Sequence, residues 1–305
     1  MFLSSPPSSS SQNLKCEKSP IRYIKFSSLA ILPQKGSYGA AGFDLFSAEC
    51  MTIPPGQRRL VSTDIGIDFT TNLDYFGRLA ARSNLAILGI DVGAGIIDSD
   101  YQGIIKVLII NNSALPFTIK LADRFAQIIF CKIWPCLGLK EYDKSYDELN
   151  TIFPIELEND TDEKSILVSR KARYIKLPEL ASKNAASYNL FAPKDIILEP
   201  SIRTIVWTGI SFDFRPNAYG FITGRRSFTI DGIDTSENVV ENSLFKELKL
   251  HLTNTTKTPV LISAGERIAR VTFCEVYNAY ELSSCDLFLL KTGRGTAGFG
   301  STGIN

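Results

Sequence analysis

The chain is poor in the residues from which enzymes most often build metal sites and nucleophiles. It has one histidine, His251, so a histidine-based triad or a multi-histidine zinc site is excluded. That histidine lies in LKLHLTN, an alternating pattern that reads as an ordinary strand position. The six cysteines (16, 50, 131, 136, 274 and 285) include no C-x-x-C pair. This excludes zinc-ribbon and thioredoxin-type motifs. Scattered thiols suit a reducing compartment, so an intracellular place, cytoplasm or nucleus, is expected. No apolar run approaches the ~20 residues that span a bilayer. No basic stretch followed by an apolar core opens the chain, so neither a membrane nor a secretory route is expected. An excess of one charge is missing as well: Lys+Arg 33 stand against Asp+Glu 32, a net charge of +1. Nucleic-acid partners usually demand a basic surplus, and none is present. Long helical periodicity is also absent.

What is present is a series of short β-rich segments separated by Gly, Pro and Asn turns. IRYIKF comes first, and residues 60–69 alternate like a strand. Residues 104–110 form a nearly continuous apolar run that reads as a buried strand. Regular short strands indicate an all-β sandwich or small barrel. The 305 residues suffice for one large or two ordinary domains. SSPPSSSSQ near the start is low-complexity and reads as a solvated tail, while the charge-rich stretch after residue 138 reads as an exposed connection.

The second half repeats the first. RYIKF at Arg22 returns as RYIKL at Arg173, and AAGFDLFSA as AASYNLFAP, which sets Asp44 against Asn189. FGRLAARSNLAILGID returns as YGFITGRRSFTIDGID, which by its serines sets Ser83 against Ser227. ADRFAQIIFCKI returns as GERIARVTFCEV, which sets Gln127 against Arg270 and Cys131 against Cys274, two apolar-strand thiols that read as core. Two copies of one β domain follow. They differ where chemistry concentrates: Asp98 aligns with Glu241, and Tyr101 with Leu244.

Residues 77–103 of the first copy carry the chemistry. Arg82 beside Ser83 offers a planar fork of donors and a hydroxyl, which suits phosphate oxygens. Gly93 and Gly95 mark a tight turn, followed by a strand, tip and strand carrying Asp98, Asp100 and Tyr101. A carboxylate, a flat ring and phosphate donors this close point to a nucleotide site. The chain closes on GRGTAGFGSTGIN, whose glycines expose backbone N–H groups and whose Arg294, Phe299, Ser301 and Thr302 add donors and an aromatic face. No Gly-Lys-Ser/Thr follows, so it is not a Walker A loop. This tail is expected to order on ligand.

AAGFDLFSA, GRLAARSNLA, DVGAGIIDSDYQG, ADRFAQIIF and GRGTAGFGSTG, in this order, resemble the five motifs of the dUTP pyrophosphatase (dUTPase) family. The resemblance implies two tandem jelly-roll or β-barrel domains with a flexible glycine-rich tail. The expected division is a Ser-rich tail over 1–20, a domain with motifs one to four over 21–138, a charged linker over 139–168, a degenerate domain over 169–285 and a motif-five tail over 286–305. It also implies hydrolysis of dUTP to dUMP and pyrophosphate, with Asp98 as the general base that activates a water against the α-phosphorus. Tyr101 would pack on the deoxyribose and exclude a 2′-hydroxyl. The backbone of Gly95, Ile96 and Ile97 would read uracil. Arg82, Ser83, Asn84 and Gln127 would hold the phosphates, Phe299 would stack on the base, and Arg294, Gly300, Ser301 and Thr302 would close over the γ-phosphate. Mg²⁺ would ride mainly on the phosphates, with Asp44 meeting it through water.

Two departures stand out. Asn84 replaces a usual glycine, and Ala122 another. Doubled chains are similar to viral members of the family, which split the motifs between halves; here motifs one to four share the first copy. A homo-oligomer, a trimer for preference, is therefore expected, with the second copies outside. The alternative is an intrachain site joining Asp98 and Tyr101 to Arg226, Ser227 and Arg270. The competing functions are a dCTP deaminase-like enzyme, whose fold is related, and a non-enzymatic interaction protein on a duplicated scaffold.

Overall fold

The structure is a computed structural model that describes residues 21–36, 40–69, 74–134, 139–141, 166–214, 218–240 and 246–275. It is all-β, as expected, and the two halves share a five-stranded and a three-stranded sheet. In the first repeat a five-stranded antiparallel sheet runs in the order Gln34–Lys35, Phe43–Phe46, Arg124–Lys132, Tyr75–Ala80, Ile96–Ile97. The second repeat answers with Glu179–Leu180, Ser187–Phe191, Arg267–Glu275, Ala218–Gly224, Asn238–Val240. A three-stranded sheet completes each repeat: Arg58–Ser62, Lys106–Asn111 and Ile90–Gly93 in one, Arg203–Trp207, Lys249–Asn254 and Ile233–Thr235 in the other.

Each repeat encloses its own core. Leu45, Val61, Ile109, Phe125 and Ile128 fill the first, and Leu190, Val206, Leu252 and Phe273 the second. Burying each such side chain stabilises by about 1.5–3 kcal/mol. Lys106–Asn111 is buried along all but its first residue, which explains the unbroken apolar run in the sequence. Phe273 gathers the edges of Tyr188, Phe212 and Phe214 around its ring.

Two expectations are corrected. The charged stretch 139–168 is not wholly an exposed connection: Leu139–Glu141 and Ile166–Arg170 are strands, paired in parallel, and the latter also pairs with Ile210–Asp213. Ile166 and Val168 are fully buried, so the apolar triplet at 166–168 belongs to the second repeat. The serine alignment is off by one. Helix α1 spans Ser83–Ile87 and helix α2 spans Arg226–Ile230. Each is followed by a positive-φ glycine, Gly89 at 78° and Gly232 at 91°. The conserved turn geometry therefore sets Arg82 against Arg225, Ser83 against Arg226 and Asn84 against Ser227.

The repeats pack head to tail. Cys131, Ile133 and Tyr219 join buried Phe76, Ile96, Ala186 and Cys274 in an apolar seam between them. The Trp134 N–H donates to Phe273 O at 2.9 Å, and Lys132 pairs with Glu275. Arg58 reaches across to Asp234 at 2.6 Å, to Thr229 O at 2.7 Å and to Thr255 Oγ1 at 2.7 Å. Arg78 pairs with Glu237 and stacks over Phe221. The seam uses different faces of the two repeats. Thr229 is 3% exposed, whereas its counterpart Ala86 is exposed. Ile96 is 9% exposed, whereas its counterpart Val239 is 58% exposed.

The seam predicts selective thiol chemistry. Burial pushes the Cys274 thiol up to about 12 and raises that of Cys131 as well, while Cys50 is exposed. Because the thiolate is the reacting form, a maleimide should label Cys50 in minutes among the described thiols. Cys131 and Cys274 should react only once the chain is unfolded. Rapid native labelling at either, read by peptide mass, would mean the seam opens in solution.

Candidate functional site

The tip of the first repeat is formed by a turn between Ile90–Gly93 and Ile96–Ile97. Ala94 has a φ of 49°, and a Cβ on Gly95 would lie 2.5 Å from Leu79 O, so only glycine fits this approach. The Gly95 carbonyl accepts the Leu79 N–H at 2.7 Å, which ties the tip to the main sheet. Beyond it, the Tyr101 N–H donates to Asp98 O at 3.1 Å, and the Tyr101 hydroxyl donates to Ile104 O at 2.8 Å. A Cβ at Gly103 would sit 2.6 Å from that hydroxyl. The ring is thus held by its far end against a residue with no side chain, and its face stays exposed.

This tip lies on the second repeat of the same chain. Asp98 Oδ1 accepts the Ala186 N–H at 3.0 Å, and Oδ2 accepts from Arg270 at 3.2 Å. Ser99 Oγ donates to Asn184 O at 3.1 Å, and Ser182 donates to Asp100. A cavity of about 200 Å³ opens between them, with Ile96, Ile97, Asp98 and Tyr101 on one side and Arg226 and Arg270 on the other. Of the intrachain partners named in the sequence, Arg226 and Arg270 line this cavity and Ser227 does not.

The phosphate set of the first repeat lies elsewhere: none of Arg82, Ser83, Asn84 and Gln127 lines that cavity. Arg82 is 4% exposed. Its Nε donates to Asp44 Oδ1 at 3.0 Å and its Nη1 to Arg124 O at 3.0 Å. Burial lowers its pKa, with the Asp44 carboxylate opposing and the Arg124 charge assisting that shift. In this arrangement the guanidinium braces the strand carrying Asp44. Gln127 sits opposite Asp44 in the sheet and donates to Ala81 O at 3.0 Å. Ser83 is exposed and Asn84 half-buried. Arg294, Phe299, Gly300, Ser301 and Thr302 lie outside the described residues.

Sequence reasoning missed the Ala186 N–H, which no side-chain motif announces. It also missed Arg225 and Arg226 as the counterparts of Arg82 and Ser83. Matching Gly89 to Gly232 instead of serine to serine would have found them.

The family model for dUTPase matches residues 29–153 and again 173–303. The chain belongs to the dUTPase family. The chain is similar to viral dUTPases. It is 46% identical over 116 residues to the deoxyuridine 5′-triphosphate nucleotidohydrolase of Monkeypox virus, covering 38% of this chain and 76% of that protein. The enzyme of the same name from Vaccinia virus (strain Copenhagen) matches at 46%, covering 38% and 78%. Among solved structures, a mutant dUTPase from phage phi11 of S. aureus, described with a structural Mg(II) ion, shares 24% identity at a TM-score of 0.38, covering 41% of this chain and 97% of that one.

Proposed function

We propose that this dUTPase-family chain hydrolyses dUTP to dUMP and pyrophosphate in the cleft between the first repeat's tip and the second repeat. The observation that carries this reading is the cavity itself. It places a carboxylate, an exposed ring and two guanidiniums around a space of nucleoside size. Asp98 takes a proton from a water whose oxygen attacks the α-phosphorus. The bond from that phosphorus to the bridging oxygen breaks, and pyrophosphate leaves. In the resting site Arg270 occupies Asp98 Oδ2. An incoming triphosphate competes for that guanidinium and frees the oxygen to accept the proton. Tyr101 packs on the deoxyribose, and the backbone of Gly95, Ile96 and Ile97 reads the uracil edge. Mispairing a buried polar edge is costly, which disfavours cytosine. By family resemblance, Phe299 stacks on the base, and Arg294, Gly300, Ser301 and Thr302 close over the γ-phosphate.

Mg²⁺ fits this chain as an ion carried by the phosphates, with Asp44, held between Arg82 and Arg124, to meet it through water. Among the described residues no three His, Cys, Asp or Glu side chains gather for a metal. No step here runs through the ion.

The oligomer is a second reading, favoured by the exposure of Ser83 and Ala86 on the unoccupied face of the first repeat. A trimer would bring another chain's tip to Ser83, Asn84 and Gln127. A fully active monomer in light scattering would remove it. No helix among the described residues is long and apolar enough to cross a membrane. The unpaired Cys50, Cys131 and Cys274 accord with an intracellular setting.

The test is pyrophosphate release from dUTP, UTP, dCTP and dTTP by purified protein. Release from dUTP alone supports the reading, and deamination of dCTP would release none. Tyr101→Ala should raise the UTP to dUTP ratio of kcat/KM by roughly tenfold or more, while Tyr101→Phe should leave it near wild type. An unchanged ratio in Tyr101→Ala would remove the sugar-packing role.

A further inference from the structure

The seam between the repeats holds a further cavity that the hydrolytic reading leaves unused. It measures about 230 Å³ and is lined by Trp134, Tyr188 and Phe273 and by the loop from Lys183 to Ala186. It shares no residue with the cavity at Asp98. Trp134 comes from the first repeat, just past the strand Arg124–Lys132. Its backbone N–H donates to Phe273 O at 2.9 Å, which carries its side chain across the seam. The rings of Tyr188 and Phe273 stand 6.2 Å apart, edge to face.

The indole Nε1–H of Trp134 is buried and has no hydrogen-bond partner. A buried donor left unpaired is costly, and a buried indole N–H usually finds an acceptor. An oxygen of a molecule seated in the cavity would supply one. A cavity of about 150 Å³ already admits a benzene-sized ring, so this one has room for a single ring with a short polar arm. Aromatic walls favour a flat ring, which they meet edge-on or offset. Among the described residues, the charged groups on the wall are Lys183 and Asp74, one of each sign. Either charge on a ligand would be opposed by one of them, so a neutral molecule fits best.

The loop on this wall is also the one that grips the tip of the first repeat. The Ala186 N–H donates to Asp98 Oδ1 at 3.0 Å, Asn184 O accepts from Ser99 Oγ at 3.1 Å, and Ser182 donates to Asp100. The Ala185 N–H closes the loop on Ser182 O at 3.2 Å. Lys183 and Asn184 are exposed, so the loop is held from the tip side and from the cavity side. We propose that this cavity binds a neutral aromatic carboxamide, whose carbonyl oxygen accepts from Trp134 Nε1, and that its occupation steadies the loop holding Asp98. A ring seated there meets Ala185 and Ala186 only while the loop is in place, and that difference in contact is what shifts the loop toward its ordered state. The bearing on catalysis rests on the reading of the Asp98 cleft as the hydrolytic site.

The test is titration of the full chain with benzamide, and with toluene as the ring that lacks the carbonyl. The chain has two tryptophans, Trp134 and Trp207, so in Trp207→Phe the emission reports Trp134 alone. Benzamide should change that emission saturably. By calorimetry, wild type should bind benzamide roughly tenfold more tightly than toluene. Trp134→Phe, which keeps a ring but removes the donor, should erase that preference, with melting temperature as the control for folding. Ala185→Leu, which fills the cavity, should abolish binding with melting near wild type, and it carries the test if Trp134→Phe does not fold. Amide exchange over residues 182–186 should slow when benzamide is bound. No saturable change in emission, a preference that survives in folded Trp134→Phe, or full binding to Ala185→Leu overturns the site. Binding that leaves exchange over residues 182–186 unchanged overturns the link to the tip. The two readings fail separately, because none of these measurements uses dUTP. Benzamide binding in a chain that does not hydrolyse dUTP upholds the cavity site and removes the hydrolase, and hydrolysis without benzamide binding does the reverse.

Discussion

Asp98→Asn should lower dUTP turnover by roughly 10²- to 10⁴-fold, the range lost when a positioned general base is removed, while nucleotide binding persists. The substitution keeps the acceptor at Oδ1 for the Ala186 N–H but turns an amide donor toward Arg270, where the carboxylate accepts at 3.2 Å. Two donors then face each other at the seam, which costs about 1–3 kcal/mol and should lower the melting temperature slightly. The double change Asp98→Asn with Arg270→Gln removes that conflict. It should recover the melting temperature and leave turnover lost. Stopped turnover with intact binding of a non-hydrolysable α,β-imido analogue of dUTP separates the catalytic role from the structural one. Full turnover in Asp98→Asn would end the assignment of Asp98 as the base.

The second large effect is expected at Arg58, far from the tip in sequence. Its side chain is 11% exposed and holds Asp234, Thr229 O and Thr255 across the seam. Arg58→Ala leaves a partly buried carboxylate and a buried carbonyl without their partner. The expected loss is roughly 3 kcal/mol, a fall of roughly 6–12 °C in melting temperature for a chain of this size. Because the seam also forms the cleft, dUTP turnover should fall with it. Asp234→Asn, which keeps the acceptor at Oδ1 for Arg58 Nη1 at 2.6 Å but loses the one at Oδ2 for Nη2 at 3.3 Å, should cost less. Unchanged melting and turnover in Arg58→Ala would show that the cleft does not depend on this anchor.

Much of this was legible in the residues. Alternating apolar positions and glycine turns revealed an all-β chain, and the recurring RYIK and FC strands revealed its duplication. The tip at Asp98 and Tyr101 was legible because glycine spacing and side-chain type both mark it. Less legible was which surface the tip meets, because that depends on contacts such as Arg58 with Asp234, 176 residues apart. The setting of Arg82 was not legible, because an arginine beside a serine suits phosphate equally well whether it is open or buried. Only the neighbouring Asp44 carboxylate decides that it is turned inward. Arg226 was misplaced because hydroxyls were matched, whereas the backbone is aligned by the left-handed glycine that ends each short helix. The strand at 166–170 was hidden by the acidic residues just before it.

The head-to-tail seam makes the duplicated chain its own reference experiment. Among the described residues the corresponding surfaces differ in cover: Ile96 is enclosed where Val239 is exposed, and Thr229 where Ala86 is exposed. The same substitution can therefore be placed in identical backbone surroundings with and without a neighbour. Aspartate at position 96 should break the protein and at 239 should be tolerated, so their difference reports the seam alone, free of strand propensity. Drift between the copies is unequal for the same reason. One copy's tip is constrained by what it touches, and substitutions there are held to what the seam accepts.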